Sequence, residues 1–486
     1  MELREHQVAA RSMIANSIRR GNKRIMLGAS CSFGKTVLAA DMMRSAVEKG
    51  KRAFFICDRI QLVEQALASF DKNIGGQIGV IQSNHNRSNP DAPIQVASVQ
   101  TLMRKPRLPA ADFIMIDEAH ILYKWVIELM ETYNNVPIIG LSATPYTKSL
   151  GKHYQDLVVP ITPQELIAKG YLTPIRYFVG REPDTKGLRS VRRSWGLDFS
   201  DELEERVIDN DLMGDIVKNW QAHGQGRITA CFAQSIKHSK AIVDKFKEAG
   251  IFAVHIDCYT PPEIRQNLIE QHANGDFLIL SCANLLSTGW DSPNCSCLID
   301  ASPTKSLIKY VQNGGRIQRI AEGKTDAIYL DHAGNWFRHG CVEDIVPDHL
   351  HTGKKEDERD LTTKEKKEKK DVKCPQCGRV HNTNPCPQCG YMIQPREDPC
   401  VIEMELQEIK SKAERQNQVD WYAGLIYHAK SKKYSDGWAA HVFKEKFGEW
   451  PSGLDRSHAV EPTTEVKNYL QYRNIKRAKS KQARIH

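Results

Sequence analysis

The chain has 486 residues, 41% apolar and 26% charged, enough for about three domains of ~150 residues with well-buried sheets. No apolar run is long enough to span a bilayer and the first seven residues lack the apolar stretch of a signal peptide, which argues against a membrane or secreted protein and predicts a cytoplasmic one. A net charge of +9 favours a polyanionic partner without separating DNA from RNA. Thirteen cysteines, most of them single and in apolar surroundings such as Cys57, Cys231, Cys282 and Cys295, read as small core residues in a reducing compartment.

The first chemical signal follows the apolar run at residues 24–27. Residues 29–36 read ASCSFGKT and lead into a second apolar stretch at 37–40. A loop between a strand and a helix N-terminus is where backbone N–H groups converge on phosphate. Ser32 and Gly34 belong to that loop, Lys35 is placed to neutralise β/γ charge, and the Thr36 hydroxyl is placed to complete a Mg²⁺ shell. Ala29 stands where the full pattern has its first glycine, with Gly28 one position early. The missing half of the chemistry comes later. The apolar run 113–116 ends at Asp117-Glu118-Ala119-His120, which puts Asp117 at a strand end to hold Mg²⁺ and Glu118 beside it to polarise water. Together the two segments predict hydrolysis of a nucleoside triphosphate.

Strand-like runs alternate with amphipathic stretches to about residue 345, the pattern of parallel α/β sheets. Two lobes are expected, 1–165 with strands ending near Leu27, Ile56, Ala97, Ile116 and Leu141, and 166–345 with strands at 229–232, 252–255, 277–280, 297–299 and 327–330. Only the first lobe has a phosphate loop, so one nucleotide site between two like lobes is implied.

Composition then shifts. Residues 346–372 are a mixed-charge linker. Cys374, Cys377, Cys386 and Cys389 follow as two CPxCG knuckles in C-x₂-C-x₈-C-x₂-C spacing, which predicts a zinc ribbon over 373–395, its four thiolates closing a tetrahedral Zn²⁺ shell with His381 as a spare donor. So short a segment cannot bury a core, and metal is expected to fold it. The remainder, 396–486, is expected to be mainly helical. Val442, Phe443 and Phe447 recur at helical spacing before Gly448, and a basic tail ends the chain. Aromatics interleaved with Lys430, Lys432 and Lys433 suit stacking on a single strand, or else they form a small helical core.

The order of these segments resembles the DEAH-type superfamily 2 helicases and translocases, most closely the RadD-like phage and bacterial branch with a type III restriction-type motor. Residues 3–7 (LREHQ) look like the adenine-reading segment, which implies that Gln7 contacts the base of ATP. Residues 55–65 and 96–102 resemble motifs Ia and Ib, implying that Arg59, Gln100 and Thr101 line a nucleic-acid track. Residues 142–145 (SATP) are similar to motif III and 231–235 (CFAQS) to motif IV. Residues 285–293 (LLSTGWDSP) look like motif V, implying that Thr288 touches backbone phosphate and Asp291 the ribose. Residues 312–319 (QNGGRIQR) resemble motif VI, which makes Arg316 and Arg319 arginine-finger candidates. Asn313 departs from the arginine many relatives carry, as Ser32 and Phe33 do from Gly and Ser. His120 is expected as a hydrogen-bonding coupler between nucleotide and second lobe. Cys31 reads as a small loop residue facing the protein, while Phe33 and Trp290 are open to base stacking or to core packing.

The resemblance implies two RecA-like lobes and an ATP-dependent DNA helicase or translocase of replication, recombination or repair. It acts on single-stranded or branched DNA, and its C-terminal region can recruit a single-strand-binding or recombination protein. The alternatives are the motor of a restriction or defence complex, and an ATP-gated DNA-binding recruiter that separates no strands.

Overall fold

The computed structural model describes all residues except 1, 75–77, 83–84, 105–107, 181–189, 194–195, 200–211, 284, 286–289, 291, 354–371, 374–379, 382–405, 410–411, 436, 452–453, 456–457 and 483–486. Contacts divide the chain into two compact units, 1–407 and 408–486.

The first unit contains two parallel sheets flanked by helices. After helix α1 (Glu5–Arg19), the strands β1 (Arg24–Gly28), β2 (Ala53–Cys57), β3 (Ile78–Ile81), β4 (Ile94–Ser98), β5 (Phe113–Ile116), β6 (Ile138–Ser142) and β7 (Asp156–Val158) assemble in the order β3-β4-β2-β5-β6-β1-β7, every pair parallel. β1, β2, β4 and β6 are buried throughout, so their residues read as continuous apolar runs rather than alternation. The crossovers include α2 (Lys35–Val47), α3 (Ile60–Asn73), the short α4 (Val99–Leu102) and α5 (Lys124–Thr132). Ile25, Leu27, Phe55, Val96 and Leu141 make one core with α2 and α3, and Met26, Phe54, Ile56, Ile114 and Ile116 make another with α5.

The chain leaves this sheet through α6 (Pro163–Ala168), started by a Thr162/Glu165 capping box, and enters β8 (Ile175–Val179). A hairpin of β9 (Ser190–Arg193) and β10 (Gly196–Phe199) precedes the second parallel set, β11 (Thr229–Ala233), β12 (Ala253–Ile256), β13 (Ile279–Ala283), β14 (Cys297–Ala301) and β15 (Ala327–Asp331). Their order is β12-β13-β11-β14-β15-β8, with a short strand, Gln407–Ile409, beyond β8. The strand runs expected from sequence are present. β3, β7 and β8 were absent from those expectations; the four residues of β3 and the three of β7, one of them Asp156, give too little pattern to read.

Residues 342–351 depart from the sequence reading. The charged linker was expected to start at 346, yet this stretch crosses from the second sheet to the first as ordered chain. The Val342 N–H and the Glu343 carboxylate both bond Tyr177 Oη of β8, and Ile345 C=O accepts from Tyr146 Oη. Pro347 lies beside Gly28, where a Cβ would sit 3.1 Å from its ring. Leu350 packs into the β5–α5 core, and His351 C=O accepts from Gly151 N–H. Its apolar residues Val346, Pro347 and Leu350 are spaced too irregularly to stand out among charges.

The second unit is helical among its described residues. A 20-residue helix (Lys412–Ser431), a shorter one (Trp438–Phe447) and a third (Thr464–Gln482) bury Trp421, Tyr422, Leu425, Val442, Phe443 and Val466 together. The middle helix stops at Gly448, whose φ of 77° is the left-handed conformation a helix C-terminus needs. Core packing is therefore what Trp421, Tyr422, Phe443 and Phe447 do. Cys374, Cys377, Cys386 and Cys389, with the ribbon they predict, lie outside the described residues. Of that segment only a two-residue antiparallel pair is described, Val372↔His381 and Lys373↔Val380.

Candidate functional site

The site grows from the carboxyl ends of β1, β5 and β6. β1 ends at Gly28, and the loop turns through two left-handed residues, Ser32 (φ 66°) and Gly34 (φ 84°), before α2 begins at Lys35. The φ of Gly34 is what favours glycine there, and a Cβ would also displace the end of the Gln7 side chain, whose Nε2 it would meet at 2.5 Å. Lys35 Nζ folds back onto the loop's own carbonyls, Ala29 O at 3.0 Å and Ser30 O at 3.2 Å. Thr36 is the second residue of α2, so its hydroxyl stands at the helix N-terminus next to that lysine.

Gln7 reaches the same loop. Its Nε2 donates to Phe33 O at 3.3 Å and Gly34 O at 3.2 Å, while its Oε1 accepts from Arg4 N. His6 adds Nε2 to Phe33 O at 3.2 Å and packs edge-on against Phe33 and Tyr171, over which Arg4 lies at 4.6 Å. Phe33 is fully buried in the core, which overturns the base-stacking reading for it. His6, Arg4 and Tyr171 were not singled out in the sequence as parts of this corner. Tyr171 joins it only because α6 and the following turn bring it back to α1.

β5 delivers the carboxylates. Asp117 N–H bonds Ile56 O, and Asp117 Oδ1 accepts from Glu118 N–H at 3.0 Å. Glu118 has φ 48°, a strained conformation for a non-glycine residue, at the point where the strand breaks into the DEAH turn. Burial pushes the Asp117 carboxyl up to about 6, with the Glu118 charge adding to it. Burial acts on Glu118 in the same sense, but the His120 hydrogen bond and charge, then Lys35 and Arg316, outweigh it and hold that carboxyl near 2. The two carboxyls are therefore pushed in opposite directions, Asp117 up and Glu118 down. His120 Nδ1 lies 3.0 Å from Ser142 Oγ and 3.3 Å from Glu118 Oε2, and its carbonyl accepts from Thr147 Oγ1. Ser142 Oγ also accepts from Thr144 N–H, and Ser142 O accepts from Ala29 N–H. His120 thus ties the carboxylate turn to the SATP segment and the loop. These bonds all lie within the first sheet, rather than reaching the second lobe as the sequence suggested.

The helix Leu307–Ile317 brings the second lobe to the loop. Gly315 faces Cys31 so closely that a Cβ there would meet Sγ at 2.6 Å. Cys31 therefore faces the other lobe rather than its own. Arg316 is half-buried and its Nη1 donates to Trp290 O at 2.6 Å; desolvation lowers its pKa, and the Glu118 carboxylate opposes that shift. Desolvation lowers Arg319 as well. The Arg319 carbonyl accepts from Thr173 Oγ1, and Gln318 O from Thr173 N–H, which pins the inter-lobe segment. Trp290 is buried, so core packing and not base stacking describes it. A cavity of about 20 Å³ lies in this junction, lined by Ala29, Ser30, Cys31, Gly315, Gln318 and Val342 among others.

Arg59, half exposed, stands before α3 and pairs with Asp58, which also accepts from Tyr123 Oη. Gln100 is exposed, and Thr101 shares a bond with Ser98 Oγ at the end of β4. The three share the strand-end face of the first sheet, apart from the loop around Lys35. Thr288 and Asp291 lie outside the described residues. Among the described residues no group of three or more His, Cys, Asp and Glu could hold a metal ion, and no helix is long and apolar enough to cross a membrane.

Comparison with known proteins agrees with this geometry. Residues 1–147 match the profile of the type III restriction enzyme res subunit, and residues 210–321 match the helicase conserved C-terminal domain. A "51.5 kDa protein" of a Lactococcus phage is 29% identical over 78% of this chain and 81% of its own. The IRC3 protein of Saccharomyces cerevisiae, whose name is that of an ATP-dependent helicase, is 26% identical over 68% of this chain, which spans 51% of that protein. The solved type ISP restriction-modification enzyme LlaBIII bound to DNA shares the fold over 68% of this chain and 27% of its own, at 18% identity and a TM-score of 0.52. Residues 1–147 and 210–321 thus match the two domains of a superfamily 2 helicase motor of the type III restriction-like kind, and the helicase-named relatives support an ATP-dependent helicase.

Proposed function

We propose that the chain is an ATP-driven DNA translocase or helicase of replication, recombination or repair. The observation that carries this reading is the junction at one loop: Lys35, Thr36, Asp117 and Glu118 from the first sheet meet Arg316 and Arg319 from the second. Lys35, now held by two carbonyls, is the cation a triphosphate would draw away from them. Thr36 and Asp117 fit Mg²⁺, since a carboxylate that burial pushes up to about 6 gains from a nearby dication, which would neutralise phosphate charge there. Glu118, ionised and oriented by His120, is placed to orient and polarise the attacking water. Arg316 and Arg319 would stabilise charge on the transferring phosphoryl group only with the lobes closed, which links turnover to lobe movement.

Gln7 in this reading senses nucleotide as well as reading adenine, because it already holds the loop through Phe33 and Gly34. Arg59, Gln100, Thr101 and Thr288 are assigned to the DNA track and Asp291 to the ribose. The four ribbon cysteines are assigned to Zn²⁺ on their spacing alone. Lobe limits at 165 and 345 follow the two sheets. LlaBIII, solved with DNA, supports DNA as the polymer and keeps a restriction-complex motor as the second reading.

The test is ATP hydrolysis with no polymer, single-stranded DNA, forked DNA and RNA. Stimulation by one DNA form supports the motor and names its track. Equal rates in all four would separate hydrolysis from strand binding and favour the ATP-gated recruiter.

A further inference from the structure

The helical unit carries a net positive charge and an aromatic pair at the edge of its core, Trp438 packed against the core and Tyr434 exposed. Residues 408–486 hold sixteen Lys and Arg against nine Asp and Glu, a net +7 of the chain's +9. Between Asp420 and Glu445 there are four lysines and one carboxylate, Asp436, which lies outside the described residues. Lys430, Lys432 and Lys433 are all exposed at the end of the first helix, and none forms an ion pair among the described residues. Beside them the Trp438 ring has His428 at 5.6 Å on one contact and Tyr434 at 4.8 Å on another, with the Arg473 guanidinium at 5.6 Å. Tyr434 remains 45% exposed.

The turn that presents this cluster is built and strained. Lys432 N–H bonds His428 O, Lys433 N–H bonds Lys430 O, and Tyr434 N–H bonds Ala429 O. Lys433 holds φ 53° at the left-handed position where a helix end ordinarily takes glycine. A lysine is strained in that conformation where glycine is not. The sequence keeps a cation there instead.

We propose that Tyr434 and Trp438, with Lys430, Lys432 and Lys433, form a binding site for a single strand of nucleic acid. The exposed Tyr434 ring accepts an unpaired base with Trp438 backing it, and the neighbouring lysines neutralise adjacent phosphates. A duplex stacks its own bases and offers nothing to Tyr434. Base stacking and phosphate contact are common to single-stranded DNA and RNA, so the site takes that shared chemistry. The inference does not rest on ATP hydrolysis: either it or the motor reading can fail alone.

The experiment uses the full-length protein without nucleotide, titrated into fluorescent 20-mers of dT and rU, a 20-base-pair duplex and an acidic decapeptide. Hydrolysis of ATP without polymer is measured in parallel. Tyr434→Ser is expected to weaken single-strand binding about tenfold, with little change on duplex and unchanged hydrolysis. Lys432→Glu with Lys433→Glu is expected to weaken it further and to lower the salt slope by about two. Lys433→Gly is expected to raise the melting temperature while lowering affinity, a divergence that a purely structural lysine would not give. Loss on dT and rU alike supports the shared chemistry, and loss on one alone supports the site and names its source. The proposal is overturned if Tyr434→Ser binds single strands as wild type does, if duplex binding falls equally, or if only the acidic peptide loses affinity.

Discussion

The strand ends of the two parallel sheets carry carboxylates in both lobes, buried in the second and half-buried in the first, and the two sets are dressed in opposite ways. In the second lobe Asp300 Oδ2 accepts from Tyr329 Oη at 2.5 Å and Asn335 Nδ2 at 2.7 Å, while Asp331 accepts the backbone N–H groups of Ala333, Asn335 and Trp336. Lys309 there is bonded to Ser302 Oγ. In the first lobe Asp117 takes one bond, from its neighbour's N–H, and Glu118 stands in a strained left-handed turn beside a histidine. Burial raises Asp300, Asp331 and Asp117 alike, Asp331 to about 7. The difference is that the second lobe closes its carboxylates with its own donors, whereas the first leaves them for something else. A parallel sheet supplies a place for charge at its carboxyl edge, and the donor set decides whether that charge holds the fold or does chemistry.

Substitutions can break this contrast at several strengths. Lys35→Ala should have the largest effect, lowering ATP turnover by on the order of 10³-fold with an unchanged far-ultraviolet circular dichroism spectrum. Turnover near wild type would remove the loop from the chemistry. Gly315→Val should come next. Its side chain overlaps Cys31, so the lobes cannot approach, and turnover falls about tenfold while ATP affinity changes less. Cys31→Gly in the same chain should restore part of the rate, and no restoration would place the fault elsewhere than at that contact.

Asn335→Ala strips Asp300 of a donor in the second lobe. It should cost about 1–3 kcal/mol of stability, read from denaturant midpoints, with turnover per folded molecule nearly unchanged. A loss of turnover without a loss of stability would erase the distinction between the two sets. The smallest effect concerns pH. The folded-state value of Asp117 exceeds its unfolded one, so its ionised form destabilises the fold above about 6 and the penalty fades as pH falls through that value. In Mg²⁺-free buffer Asp117→Asn should therefore melt about 2–4 °C above wild type at pH 8 and level with it near pH 4. A constant difference across that range would contradict the titration.

Much of the first lobe was legible because its chemistry is local. Residues 29–36 and 117–120 each sit on one turn after a buried strand, and apolar runs plus residue types announce both. Arg316 and Arg319 were legible only through the resemblance, since two arginines three apart also describe a wet helix face. The Cys31–Gly315 contact joins residues 284 positions apart in sequence, and no periodicity encodes it. The same holds for Tyr171 against His6 and for residues 342–351, where tertiary packing places a stretch that composition reads as the start of a linker. From sequence Phe33 was open to base stacking or to core packing, and the fold uses it to anchor the phosphate loop in the core.

The most direct test is a paired measurement on Glu118→Gln: ATP affinity by equilibrium binding and hydrolysis at saturating ATP and single-stranded DNA. The account predicts that affinity stays within a few fold of wild type while turnover drops by about 10²–10⁴. Turnover equal to wild type with affinity intact would contradict the assignment of the open carboxylates to catalysis.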